Sequence, residues 1–425
     1  MSSETINKSN SESASGDVQE AAPESNPGPS QYVLDAIETL HALEKKLKED
    51  PSATLEPAER INLLDFSIEE LQELVTEGMG ERKFRANQLF GWMYARLARD
   101  FSEMTNLSKD FRTRLENVTR LAPIEFLGVQ RTGADGTSKL TFKCDDNAII
   151  ETVLIPSENR NTLCISSQVG CAMGCTFCFT AKMGLRRHLT TAEIVGQVVL
   201  ARQHLSEEFG RIGNIVFMGM GEPLHNYDNV LRTVHLLTHV DGLDFSRRRV
   251  TISTSGLVPQ LRKLGHDADV QLAISLNGTN DEQRGQLMPV NDRWNIQELL
   301  DCVREYPLEK RQRVTFEFVM LKDITDRMED AKRLADLVQD LPCKVNLIPF
   351  NPHPGTPFET PDEAQIDRFQ AYLIKRGIHV LRRATRGRDE MAACGQLGKP
   401  GDRKLPAHLR KRLKMFHEQK EAQQG

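Results

Sequence analysis

Apolar residues recur every three or four positions at Val33, Ile37, Leu40, Leu43 and Leu47, a spacing that predicts an amphipathic helix over about 31–48, stopped before Pro51. Helical periodicity resumes from about 60 to 121. There Ser67 and Glu70 stand as a capping box, and Phe84, Leu89, Phe90, Met93 and Leu97 share one face, interleaved with Arg82, Lys83, Arg85, Arg96 and Arg99. The pattern predicts a small helical module whose aromatic residues read first as core and whose basic residues are a candidate grip for RNA. Between about 122 and 156 the period drops to two. Strands are expected at 125–130, 139–143 and 149–155, with Asp135-Gly136 and Asp145-Asp146-Asn147 as turns, giving a short β-meander extension.

From 162 to about 382 short apolar runs alternate with helical stretches. The runs at 162–166, 214–218, 249–254, 270–276, 314–321 and 344–350 read as strands. Helical periodicity lies near 192–208, 227–239, 257–265, 295–305, 327–340 and 362–375. Six consecutive βα units imply an α/β fold with a parallel sheet, open or curved into a partial (β/α)6 barrel. The expected organisation is an acidic, largely disordered extension at 1–55, a helical accessory domain at 60–121, the β-meander at 122–156, a core at 157–388, and a loop with a basic tail at 389–425. In parallel α/β folds the chemistry collects at the carboxyl ends of the strands.

Charge changes this picture only at the ends. The net charge is −5, yet residues 1–56 carry 4 Lys and Arg against 11 Asp and Glu, while residues 382–421 carry 12 against 5. A basic C-terminal segment suits phosphate contact or a solvated helix equally. No apolar run approaches the length of a membrane span, and the first thirty residues have neither the positive start nor the apolar centre of a signal peptide. A cytoplasmic protein without membrane association is therefore expected. In that reducing compartment the eight cysteines point to ligation or thiol chemistry rather than to a disulfide framework.

Cys171, Cys175 and Cys178 form the pattern C-x-x-x-C-x-x-C in a loop with Gly170 and Gly174, which let the backbone curl until the thiols converge. A [4Fe–4S] cube commonly takes four thiolates, so three in one loop leave one iron open to the amino and carboxylate groups of S-adenosylmethionine. A zinc site with His188 or a distant cysteine as fourth ligand would use the same triplet. The triplet follows the first core strand, and Gly-Met-Gly-Glu-Pro at 219–223 follows the second. Ser253, Ser275 to Asn277, and Asn351 close the third, fourth and sixth, so all fall on one rim. Cys144, Cys302 and Cys343 have no partner at a meaningful spacing and read as buried structural thiols.

The triplet, with Phe177 before its last cysteine, resembles the radical S-adenosylmethionine signature, and Gly-Glu-Pro at 221–223 resembles the element that binds the cofactor's amino group. With Ser166-Ser167-Gln168-Val169-Gly170-Cys171, Thr180-Ala181 and Ala393-Cys394-Gly395-Gln396-Leu397, the chain is similar to the RlmN family of RNA adenine C2-methyltransferases over about 60–398. The resemblance implies a radical S-adenosylmethionine core, a [4Fe–4S] cluster on Cys171, Cys175 and Cys178, and two S-adenosylmethionine molecules per turnover. Gly221, Glu222, Ser253, Ser275, Leu276, Asn277 and Asn351 correspond to its cofactor-contacting positions. By the same resemblance Cys394 receives a methyl group, Cys164 later forms a transient disulfide with it, and Glu151 is the proton acceptor.

C2 of adenine is an amidine-like carbon and no nucleophile, so a radical has to be made on the methyl group before it can be joined there. The resemblance further implies two substrates: an adenosine of 23S ribosomal RNA at the peptidyl transferase centre, and the adenosine 3′ of the anticodon in transfer RNA. It implies an electron donor such as flavodoxin and a monomeric enzyme. Both bases must leave a stack to enter a rim pocket, and the arginine-rich pieces at 82–99, 247–249 and 382–388 are candidates to hold phosphates. A sister class that methylates adenine C8 uses the same cysteines, although Ala181 and Ala172-Met173 resemble the C2 type. A non-enzymatic iron–sulfur or zinc RNA-binding protein would explain the triplet but leave Gly-Glu-Pro, Cys164 and Cys394 without a task.

Overall fold

The computed structural model describes residues 30–131, 135–158, 160–383, 391–393, 395–398 and 407–424. The amphipathic stretch near the start forms helix Gln31–Glu49, and Val33, Leu40 and Leu43 are buried. This part of the expected extension therefore belongs to the helical module, because its apolar stripe needs a partner and finds one there. Helices Ile68–Glu73, Lys83–Tyr94 and Lys109–Val118 complete the module, and the Ser67–Glu70 capping box satisfies the first backbone N–H groups of the second. Phe84 departs from the expected core face: it is 46% exposed, with the Arg85 guanidinium 4.9 Å from its ring centroid.

The module is fastened to the core by polar groups. The Ala192 N–H, at the start of core helix Thr191–Phe209, donates to the Asp65 carboxylate at 2.7 Å. Arg232 forks onto both oxygens of Glu70 at 2.7 Å each and also donates to the Asp65 carbonyl. Burial pushes the Asp65 carboxyl up to about 6, against the pull of the Ala192 N–H.

The meander strands β1 (Ile124–Arg131), β2 (Ser138–Cys144) and β3 (Ile149–Ile155) pair antiparallel. Strand β4 (Asn161–Cys164) pairs antiparallel with β3 on one side and parallel with β5 (Ile212–Phe217) on the other. Strands β6 (Val250–Thr254), β7 (Gln271–Ser275), β8 (Val314–Met320), β9 (Cys343–Pro349) and β10 (Val380–Arg382) continue the parallel run. The meander and the core are thus one ten-stranded sheet whose spatial order is the order of the chain. Each parallel step from β4 to β9 is crossed by a helix, which returns the chain to the amino end and leaves the strand-to-helix loops on one rim. β10 is three residues long, too short for periodicity to reveal.

Two segments depart from expectation. The basic tail holds helix Ala407–Gln424, with Leu409, Leu413 and Phe416 buried at helical spacing and the Phe416 ring 4.9 Å from Phe358. Arg247, Arg248 and Arg249 precede β6, so they lie at the amino ends of the strands, away from the rim where a base would react. Cys144, Cys302 and Cys343 are buried, as their isolation in the sequence suggests. Among the described residues no helix is long and apolar enough to cross a membrane.

Candidate active site on the strand rim

The loop after β4 is shaped by glycine. Gly170 has φ +78°, and a Cβ there would stand 1.8 Å from the Gly184 carbonyl oxygen, which accepts the Cys171 N–H at 3.1 Å. Gly174 is also left-handed, the Cys178 N–H donates to the Cys175 carbonyl, and the Thr176 N–H donates to the Leu287 carbonyl at 2.9 Å. Cys171, Cys175 and Cys178 consequently line one cavity, together with Gly221, Glu222, Ser253, Ser275, Asn277 and Asn351. Leu276 does not line it; its side chain is buried and its carbonyl faces Arg284.

Glu222 is buried at the bend after β5. Its carboxylate accepts the Ser255 N–H at 2.7 Å and the Leu224 N–H at 3.1 Å, while its own N–H donates to the Gln168 side chain at 2.8 Å. Burial raises its carboxyl above the ordinary range, and the donors pull it back. Gly221 is required at φ +104° because a Cβ would meet Gln168 at 2.6 Å. Asn277 is left-handed as well, and its Oδ1 accepts the Val319 N–H at 2.8 Å.

Burial is the main cause that lifts the Cys171 and Cys175 thiols well above their ordinary range, and the neighbouring Cys178 and Glu222 charges add to it. Such thiols stay protonated by themselves and become thiolates only against a compensating positive charge. Three soft sulfur donors lining one cavity, beside a buried carboxylate on its wall, suit an iron–sulfur cluster with an amine-bearing cofactor next to it. Among the described residues no group of three or more His, Cys, Asp or Glu side chains is drawn together as around a single ion.

The last described loop closes on the first. The Phe179 N–H donates to the Gly395 carbonyl at 2.7 Å, the Thr180 hydroxyl to the Leu397 carbonyl at 2.7 Å, and Gln396 to the Pro352 carbonyl at 2.7 Å. The Gly398 N–H donates to Glu151 Oε2 at 2.7 Å, and Glu151 Oε1 lies 3.3 Å from the Lys139 ammonium in a buried ion pair. Gly395 and Leu397 line the cysteine cavity; Cys394, directly before them in the chain, lies outside the described residues. Cys164 is buried at the carboxyl end of β4, on the strand beside Glu151, without lining that cavity.

A family model described as the ribosomal RNA large subunit methyltransferase N-terminal domain matches residues 61–121, and one for the radical SAM superfamily matches residues 165–335. A curated dual-specificity RNA methyltransferase RlmN from Geobacter sulfurreducens is 47% identical over 357 residues, 84% of this chain and 97% of that one. The chain belongs to the RlmN family. The RlmN of Pelobacter propionicus is 50% identical over 340 residues, 80% of this chain and 96% of its own. The crystal structure of a radical SAM methyltransferase from Sphaerobacter thermophilus superposes with a TM-score of 0.76 at 44% identity, covering 79% of this chain and 98% of that one. The radical SAM core that the RlmN family shares brings with it a [4Fe–4S] cluster and S-adenosylmethionine.

Beyond the expected RlmN positions, the cavity wall includes Glu317 and Arg383. Glu317 is buried, accepts the Asn346 side-chain amide at 2.9 Å, and is pushed up by burial. Its signal in the sequence was an acid inside the otherwise apolar strand VTFEFVM.

Proposed function

We propose that the chain transfers a methyl group to C2 of adenine in RNA, at the 23S ribosomal RNA peptidyl transferase centre and at the adenosine 3′ of the transfer RNA anticodon. Bound at the rim, the cluster and S-adenosylmethionine supply an electron, a methyl group and a hydrogen-abstracting 5′-deoxyadenosyl group. Cys171, Cys175 and Cys178 hold the cluster. Glu222 receives the cofactor's ammonium, and Gly221, Ser253, Ser275, Asn277 and Asn351, with the Leu276 backbone, receive the rest.

Cys394 thiolate takes the methyl group as a nucleophile and carries it to the base. Once the carbon bond is made, the adduct gives up its unpaired electron, which the bound cluster would accept, and Glu151 takes the proton from C2. Cys164 thiolate then attacks the Cys394 sulfur; a disulfide forms, and the electron pair of the broken C–S bond leaves with the methylene carbon, which gains a proton to become the methyl product. A protein electron donor of the flavodoxin kind, a monomeric enzyme and a cytoplasmic setting complete the reading.

The observation that carries it is the hydrogen bonding of the 395–398 segment, which directly follows Cys394 in the chain, to Phe179, Thr180 and Glu151, with Gly395 and Leu397 on the wall of the cysteine cavity. The test is the anaerobically reconstituted enzyme acting on 23S ribosomal RNA fragments and transfer RNA, followed by nucleoside digestion and isomer-resolved mass spectrometry. 2-Methyladenosine is expected. 8-Methyladenosine, or methylation that persists after Cys394→Ala, overturns the proposal.

A further inference from the structure

Arg284 stands in a short helix, Asp281–Leu287, where a single arginine ordinarily faces water. Instead it is 0% exposed and heads the largest fully buried side chains. Its guanidinium donates from Nε to the Leu276 carbonyl at 3.0 Å, from Nη1 to Asn291 Oδ1 at 2.9 Å, and from Nη2 to the carbonyls of Ser255 at 2.7 Å and Ser275 at 3.4 Å. All four acceptors are neutral, and among the described residues no carboxylate lies within ion-pair distance of it. The backbone makes room: a Cβ on Gly278 would stand 2.6 Å from the Arg284 Cβ, and one on Gly256 would stand 3.3 Å from Nη2.

A buried guanidinium without a counter-anion costs several kcal/mol, so the site that keeps one has negative charge to balance. That charge lies beside it. The Thr176 N–H, next to Cys175, donates to the Leu287 carbonyl of the helix that carries Arg284 at 2.9 Å, and the Glu222 carboxylate accepts the N–H of Ser255, whose carbonyl Arg284 holds; Asp281, at the start of that helix, adds a weaker, more distant negative charge. Three thiolates around a [4Fe–4S] core leave a net −1, and one added electron makes it −2. A fixed cation in a low-dielectric wall favours the more negative state. Two further cations lie near the triplet: Lys182, half-buried and bonded to the carbonyls of Pro354 and Gly355, and Arg383, on the wall of the same cavity.

We propose that Arg284 is the fixed counter-charge of the cluster, easing its one-electron reduction while clamping the carbonyls of Ser255, Ser275 and Leu276 that shape the cofactor rim. It is a positioning residue and not a catalytic one. The inference rests on the reading that Cys171, Cys175 and Cys178 carry a cluster.

The test is an anaerobic dithionite titration of the reconstituted enzyme, read by electron paramagnetic resonance of the reduced cluster beside iron content. Parent protein without four irons per chain removes the cluster reading itself. With the cluster present, Arg284→Gln is expected to lower the ratio of reduced to oxidised cluster about tenfold at a fixed potential, 59 mV for a one-electron couple. Arg284→Lys keeps the charge and should stay within about threefold of the parent. Should Arg284→Gln fail to fold, the exchange Asp281→Asn with Asn291→Asp decides. Asn291 donates to Asp281 Oδ1 at 3.1 Å, so the swap keeps that contact and moves the carboxylate against Arg284. It should depress the ratio in the same direction. An unchanged ratio in Arg284→Gln or in the exchange, or equal shifts in Arg284→Gln and Arg284→Lys, overturns the proposal.

Discussion

Glu222→Gln separates binding from stability at one atom. The carboxylate holds two backbone N–H donors, from Ser255 at 2.7 Å and Leu224 at 3.1 Å, and glutamine can satisfy only one of them with its carbonyl oxygen. Against the fold, the substitution removes a buried charge that desolvation already disfavours, so the two effects oppose each other and the melting temperature should move little. Against the cofactor nothing offsets the loss. A charge-assisted hydrogen bond to an ammonium contributes about 1.5–3 kcal/mol, which converts to roughly 10- to 150-fold weaker S-adenosylmethionine binding. Equilibrium dialysis of the anaerobically reconstituted variant measures it. Unchanged affinity, with full iron content and an unaltered melt, would refute the assignment of Glu222 to the ammonium.

The Asp65 carboxyl, lifted by burial to about 6 in the folded chain from an ordinary 3.8, binds protons more tightly when folded, so its contribution is most favourable near pH 4 and falls as pH rises to about 6. The difference amounts to about 3 kcal/mol, and Asp65→Asn should remove it; melts of both proteins from pH 4 to 7 should diverge with rising pH, and a constant gap counts against it. Phe84→Ala should weaken transfer RNA binding by about 1–3 kcal/mol through lost stacking, without lowering the melt, whereas Arg247→Ala with Arg248→Ala, on the opposite rim, should leave anisotropy titrations unchanged. Thr180→Val leaves the Leu397 carbonyl without its donor; at about 0.5–1.5 kcal/mol for one hydrogen bond, opening of this cavity-lining loop and with it the S-adenosylmethionine association rate should rise roughly 2- to 12-fold in stopped flow, and an unaltered rate means that this hydrogen bond does not limit access to the cavity. Cys164→Ala should accumulate a covalent protein–RNA adduct on denaturing gels; free methylated RNA at the normal rate argues against resolution by that thiol.

Much of the rim was legible because each core strand is an apolar run broken by a polar residue at its carboxyl end, as at Ser253, Ser275 and Asn351. The cysteine triplet was legible from spacing alone, since its glycines announce the tight loop. Arg284 was not: a lone arginine beside Asp281 and Glu282 looks like a solvated helix face, and its backbone acceptors are carbonyls of two other segments, at Ser255 and at Ser275–Leu276, that no periodicity records. Phe84 misled because a helical period identifies a face without saying which side meets the core. Charge misled twice. The tail's basic residues masked the apolar stripe Leu409, Leu413 and Phe416, and the arginines at 247–249 were assigned to phosphate before strand direction had put them at the amino ends.

Sheet order explains why the far end of the chain serves chemistry begun near its middle. With ten strands in sequential order, the loop after β4 and the segment after β10 sit across six strand-to-strand steps, and nothing in the ladder brings them together. The 395–398 segment does so with side-chain contacts spanning 217 positions to Thr180 and 247 to Glu151. Such a connection rests on a few hydrogen bonds and the buried Leu397 side chain rather than on a strand ladder, so it opens at lower cost than a central strand. A thiol that must first meet a sulfonium and then a flipped base needs that freedom, because the two cannot occupy one position. Glu151 is tied into the same latch through Gly398, with Lys139 holding its other oxygen. Lifting the loop therefore removes one of the two groups that hold this carboxylate, coupling loop position to the freedom of Glu151.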